Sequence, residues 1–123
     1  MLACAEIHEA FCIFCMRAQG YNVALGRYVL MPDHAHLFVM LPPEGITLIK
    51  WVQSLRSTLG KTLLTLGFEK PHWQEGSFDH VLRSYESYSQ KWDYVRMNPA
   101  RAGLSETPEA WPYQGEITRL PFD

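Results

Sequence analysis

The chain has 123 residues, 47% of them hydrophobic, and a formal net charge of −2. That length suits one domain with its own core, and no run approaches the roughly 18 apolar residues that span a bilayer. Three cysteines, an odd number, argue against a disulfide framework, and no basic start precedes an apolar signal core, so a reducing cytoplasm is expected.

Residues 4–19 are predicted as a first helix, with Ile7, Phe11, Phe14, Cys15 and Ala18 inward and Gly20 as its stop. Cys4, His8, Cys12 and Cys15 lie along it. At the helical rise its ends stand about 16 Å apart, so one zinc ion cannot take all four, and the cysteines read as core or interface residues. Residues 22–31 and 34–41 are predicted as two strands joined through Pro32-Asp33. Within the second, His34 and His36 are two apart and share a face of the sheet. Two imidazoles on one face can grip a divalent ion and leave positions open; the plainer reading is a pair of half-exposed histidines at a strand end.

Residues 46–66 are predicted as a second helix with Leu48, Trp51, Val52, Leu55, Leu59 and Leu63 inward, and residues 77–83 as a short strand. Residues 84–98 are predicted as a third helix, with Ser84 as N-cap and Pro99 marking the end. Tyr85, Tyr88, Trp92 and Val95 form its buried stripe. Tyr94 falls on the opposite side with Ser87, Lys91 and Asn98, and Tyr94 and Asn98 are neighbours one turn apart. After Leu104 the chain is proline-rich, and residues 105–123 are expected to be an irregular tail. Helices on an antiparallel sheet give an α+β layer fold, here one domain over residues 1–123.

The charge is unevenly spread. Residues 50–101 set eight cationic side chains, among them Arg83, Lys91, Arg96 and Arg101, against five acidic ones, while both flanking segments are net acidic. The basic part coincides with the third helix and its approach, which suits a phosphate backbone. Trp73 and Tyr113 are candidates for stacking on bases, although such aromatics are more often core residues.

Three segments carry a resemblance to a known family: Gly26-Arg27-Tyr28-Val29-Leu30-Met31-Pro32-Asp33-His34-Ala35-His36-Leu37, His72-Trp73-Gln74-Glu75-Gly76-Ser77-Phe78-Asp79-His80-Val81-Leu82-Arg83, and Tyr94-Val95-Arg96-Met97-Asn98-Pro99-Ala100-Arg101-Ala102-Gly103-Leu104. In order and spacing the chain resembles the REP-associated tyrosine transposases, single-tyrosine members of the HUH superfamily (IS200-like). The resemblance implies a ferredoxin-like sheet. It implies Mg²⁺ or Mn²⁺ bound by His34 and His36, with Asn98 completing the metal site and Tyr94 as the nucleophile. It implies DNA contacts from Lys91, Arg83, Arg96, Arg101, Trp73 and Gln74, and single-stranded DNA hairpins of REP-type palindromes as partners in a bacterial cytoplasm. The sequence leaves the oligomeric state open.

Two departures stand out. Ala35 is smaller than the usual central residue between the histidines. Family members also open with a strand before the first helix, so the sheet is expected to lack that strand and to leave one place beside the 22–41 hairpin empty or filled by a partner chain. Two functional readings result: a nickase and strand transferase that forms a 5′-phosphotyrosine, or a truncated, inactive binder of structured single strands. A metallohydrolase lacks a clear general base.

Overall fold

The structure, a computed structural model, describes residues 2–69, 78–81 and 88–121. Apolar residues at helical spacing build α1 (Ala5–Ala18), which buries Ile7, Phe11, Cys15 and Ala18. A tighter turn over Gln19–Tyr21 follows, and the chain reverses at Asn22, whose φ of 62° is a left-handed conformation that asparagine tolerates. Helix α1 thus ends at Ala18 with Gln19 as its cap, just before Gly20, and the left-handed residue that reverses the chain is Asn22. Next come β1 (Ala24–Leu30) and β2 (Ala35–Met40), an antiparallel pair with Leu30 opposite Ala35. The Met31 N–H donates to the His34 carbonyl at 2.8 Å and closes the turn around Pro32-Asp33.

Helix α2 (Leu48–Thr65) starts at Thr47, whose hydroxyl accepts from the Lys50 N–H at 3.3 Å. Its Trp51, Leu55, Leu59 and Leu63 are buried. Strand β3 (Phe78–Val81) then pairs with β2 in parallel, with Phe78 opposite Ala35 and Asp79 opposite His36. A parallel neighbour follows from the crossover: α2 carries the chain back along the sheet before β3 begins. Helices α3 (Tyr88–Val95) and α4 (Asn98–Arg101) follow, then a 3-10 turn over Pro108–Ala110 and β4 (Gln114–Glu116), which pairs antiparallel with β1.

The architecture is α+β, with strand order β3-β2-β1-β4. Three strands are antiparallel, and β3 makes the sheet mixed. Both places beside the β1–β2 hairpin are taken, one by β3 and one by β4, so the expected empty flank is not found. Residues 105–123, read as irregular, supply one of those strands. Three residues, Gln-Gly-Glu, are too few and too polar to announce a strand. What seats them is Gly115, opposite Tyr28, where a Cβ would come within 2.8 Å of the Tyr28 hydroxyl oxygen. Among the described residues no helix is long and apolar enough to cross a membrane.

The two faces of the sheet are covered differently. Ala35, Leu37 and Val39 pack with Tyr28 and Leu30 against α1 and α2. Phe38 and Met40 point the other way, into a second cluster with Val29, Met31, Tyr88, Val95, Trp111 and Leu120. His36 has the parity of Phe38, so it shares the face on which α3 packs. A one-residue irregularity in β1 between Leu25 and Tyr28 lets that helix approach closely. There the Tyr88 hydroxyl accepts from the Arg27 N–H at 2.6 Å, over the bare Cα of Gly26.

Candidate active site

The site is built where the start of β2 meets the end of α3. The His34 and His36 rings stand 5.0 Å apart, centre to centre, at an interplanar angle of 88°. The shared face expected from their spacing is what the structure has. Ala35 between them is fully buried opposite Leu30 and packs against the α1–α2 layer.

Asp33 joins this pair. Its carboxylate lies 2.7 Å from His34 Nδ1, and that contact holds its pKa below the usual carboxylate value. A carboxylate on one imidazole nitrogen fixes the ring and directs the other nitrogen outward, the arrangement usual behind a metal-binding histidine. In the sequence Asp33 reads as a turn residue beside Pro32 and not as part of the site. Its position directly before the first histidine is the signal that was there.

Asn98 comes from the other side of the junction. Its side-chain nitrogen is 2.7 Å from His36 Nε2. The helix carrying it is not continuous with the one carrying Tyr94, as the sequence implied. Helix α3 ends at Val95, the chain turns through Arg96 and Met97, and Asn98 opens α4 with Pro99 just inside its start. Proline disfavours helical backbone in the residue before it and is well tolerated in a first turn, so Pro99 starts a new helix here. The proposed start of the third helix, with Ser84 and Tyr85, lies outside the described residues. The rest of the buried stripe is as read: Tyr88 and Val95 are buried, and Trp92 packs against the same cluster.

Tyr94, the candidate nucleophile of the sequence analysis, is 70% exposed, so it can be reached from outside. Arg101 is tied to it twice. The guanidinium carbon lies 4.4 Å from the centre of the Tyr94 ring, and Nη2 donates to the Tyr94 carbonyl at 2.7 Å. The same Nη2 also donates to the Asn98 side-chain oxygen. A chain of contacts therefore runs from His36 through Asn98 and Arg101 to Tyr94.

The other sequence candidates separate. Lys91 lies on α3, half-buried, one turn before Tyr94. Arg96 is bound to Glu109 at 3.0 Å and Asp93 at 3.6 Å, so its charge is engaged within the protein. Tyr113 packs edge-on against His8 and Trp111 and bridges the two clusters, which favours core over base stacking. Trp73, Gln74 and Arg83 lie outside the described residues. Beside the site, Arg27 stacks on Tyr88 and Trp92 and pairs with Glu116 at 3.4 Å. The Trp111 indole N–H donates to the Leu30 carbonyl at 2.9 Å and anchors the C-terminal segment beside the histidine turn.

The donors fit a hard divalent cation only in part. Two imidazoles and an amide oxygen are acceptable to Mg²⁺ or Mn²⁺. Among the described residues no group of three His, Cys, Asp or Glu is placed to hold an ion. Two imidazoles plus one amide is therefore the set to weigh, and two of its members already touch.

No family model matches the chain, and no solved structure does. A curated protein of Haemophilus influenzae, whose name assigns it to the REP-associated tyrosine transposases, is 26% identical over 94 residues. The match covers 68% of this chain and 53% of that protein, so the chain spans about half the length of the curated relative it matches. Resemblance in three sequence blocks, an α+β sheet with its histidine pair beside a tyrosine helix, and this match agree: the chain is similar to the REP-associated tyrosine transposases.

Proposed function

We propose that the chain cuts and rejoins single-stranded DNA at REP-type hairpins through a 5′-phosphotyrosine on Tyr94. The observation that supports this most is the contact chain His36–Asn98–Arg101–Tyr94, which gathers an exposed phenol, an imidazole pair and a cation at one junction. In this reading His34 and His36 hold Mg²⁺ or Mn²⁺, with the Asn98 oxygen as a third donor. When bound, the cation polarises the scissile phosphate and offsets the charge that develops on it.

The chain's own residues do the rest. The Tyr94 phenol oxygen attacks phosphorus, the bond to the 3′ oxygen breaks, and the phenol proton leaves to solvent while the 3′ oxygen takes one up. Arg101, over the Tyr94 ring, favours negative charge on the phenolate and on the phosphate. The phosphodiester energy is conserved in the Tyr94 link, so the 3′-hydroxyl can reverse the step without a nucleotide cofactor. Asp33 keeps His34 in one orientation. The substrate is bacterial DNA in the cytoplasm.

The test is incubation of the chain with labelled hairpin oligonucleotides, with and without Mn²⁺, followed by denaturing electrophoresis. A labelled protein–DNA adduct that needs Mn²⁺ and is lost in Tyr94→Phe is expected. Hairpin binding by wild type and variant alike, with no adduct in either, would support the non-catalytic binding reading instead.

A further inference from the structure

Arg101 has a consequence for the metal site that its contact with Tyr94 does not require. A guanidinium only donates hydrogen bonds. The Asn98 atom facing Arg101 must therefore be the amide oxygen, whatever atom labels are given to the two ends of the amide. The end that lies 2.7 Å from His36 Nε2 is then the NH₂ group, and Nε2 accepts from it with its lone pair. That lone pair is the one a metal would use, since Nδ1 of His36 is buried. The amide oxygen, the atom that could serve as third ligand, is turned toward Arg101 and away from the imidazole.

From this we infer that Arg101 is a positioning residue that holds Asn98 in an orientation closed to metal, and that the amide must turn over before His36 and Asn98 can share an ion. Turning it breaks the Arg101–Asn98 bond and frees one N–H of Nη2, while that nitrogen still donates to the Tyr94 carbonyl and the arginine still lies over the Tyr94 ring. Assembly of the metal site and release of Arg101 for an incoming phosphate are thus one movement. A guanidinium suits that second task because it matches phosphate oxygens in a planar fork. Arg101 is exposed, so a phosphate can reach it. The inference rests on the metal reading proposed above and adds a direction to it: removing Arg101 tightens metal binding, although the residue lies near the nucleophile and favours DNA.

Simple charge repulsion between Arg101 and a cation would have the same sign. The two differ in their dependence on Asn98. If Arg101 acts by orienting the amide, its effect vanishes once the amide is gone; if it acts by charge alone, the effect persists.

The experiment is Mn²⁺ titration followed by the loss of the free-ion electron paramagnetic resonance signal, on wild type, Arg101→Met, Asn98→Ala and the double variant. Arg101→Ala serves as a second form of the first variant, and each is checked for wild-type circular dichroism. Arg101→Met is expected to lower the Mn²⁺ Kd by about tenfold, the strength of one charge-assisted hydrogen bond. In the Asn98→Ala background the same change should alter it by less than about twofold. Wild-type binding with an equal Arg101 effect in both backgrounds, or with none in either, overturns the inference and leaves the metal site standing. Absence of Mn²⁺ binding in wild type and in every variant overturns the metal reading and the inference together.

Discussion

His34 and Asp33 show how much one residue's neighbour decides. The imidazole pair was legible in the sequence because period two is a property of any strand. The carboxylate on His34 Nδ1 was not, because its role depends on the turn that folds Asp33 back toward its neighbour. Replacing it should matter more for metal than for fold. Asp33→Asn should weaken Mn²⁺ binding about 10- to 100-fold, as is usual when the partner behind a metal-binding histidine is lost. Its melting temperature should stay close to wild type, since Asp33 is largely exposed. Titration and thermal denaturation of the same samples check both halves.

His8, on the other face, gives a pH dependence. Its Nε2 lies 2.6 Å from the Tyr28 hydroxyl. Burial, with Cys12 beside it, pushes the Tyr28 phenol up, so the hydroxyl keeps its proton and donates to a neutral His8. Burial also holds the His8 pKa below its ordinary value. The unfolded chain then binds the proton more readily than the folded one. Stability from a neutral His8 is present above about pH 6.5 and is lost as pH falls below it, toward the lowered folded value. Melting temperature should fall through that window, and less steeply in His8→Gln.

At the scale of elements, apolar spacing fixed α1 and α2 almost to their ends, because their buried faces repeat at helical period over many residues. The break between α3 and α4 escaped, although Pro99 was in view. A proline ends one helix or begins another, and here the close contact of Asn98 with His36 goes with the second outcome. Strands β3 and β4 also escaped as sheet neighbours, since four and three residues carry too little pattern to name a partner. The seat of α3 can be tested at Gly26. A Cβ there would collide with the Tyr88 hydroxyl and the Leu120 side chain. Gly26→Ala should therefore destabilise the fold by about 1–3 kcal/mol, the usual cost of overpacking. Phe38→Ala, which empties the centre of the same cluster, should cost about 3–5 kcal/mol. Urea denaturation gives both numbers.

Taken as a whole molecule, the sheet separates two tasks. One face carries α1, α2 and the larger apolar cluster, and the other carries the histidines, α3 and the exposed Tyr94. The net charge of −2 averages over an uneven chain, since the basic excess is concentrated in residues 50–101, which hold α2 as well as α3. Sequence could read that concentration, but not that Arg96 is spent on Glu109 and Asp93 while Arg101 faces the tyrosine. The measurement closest to the central proposal locates the DNA on the protein. The chain is incubated with a hairpin oligonucleotide and Mn²⁺, digested with nuclease and protease, and the modified peptide is sequenced by mass spectrometry. A nucleotide phosphate on Tyr94, and on no other tyrosine, is the predicted result. Modification at Tyr85, Tyr88 or another tyrosine, with Tyr94 unmodified, would contradict it.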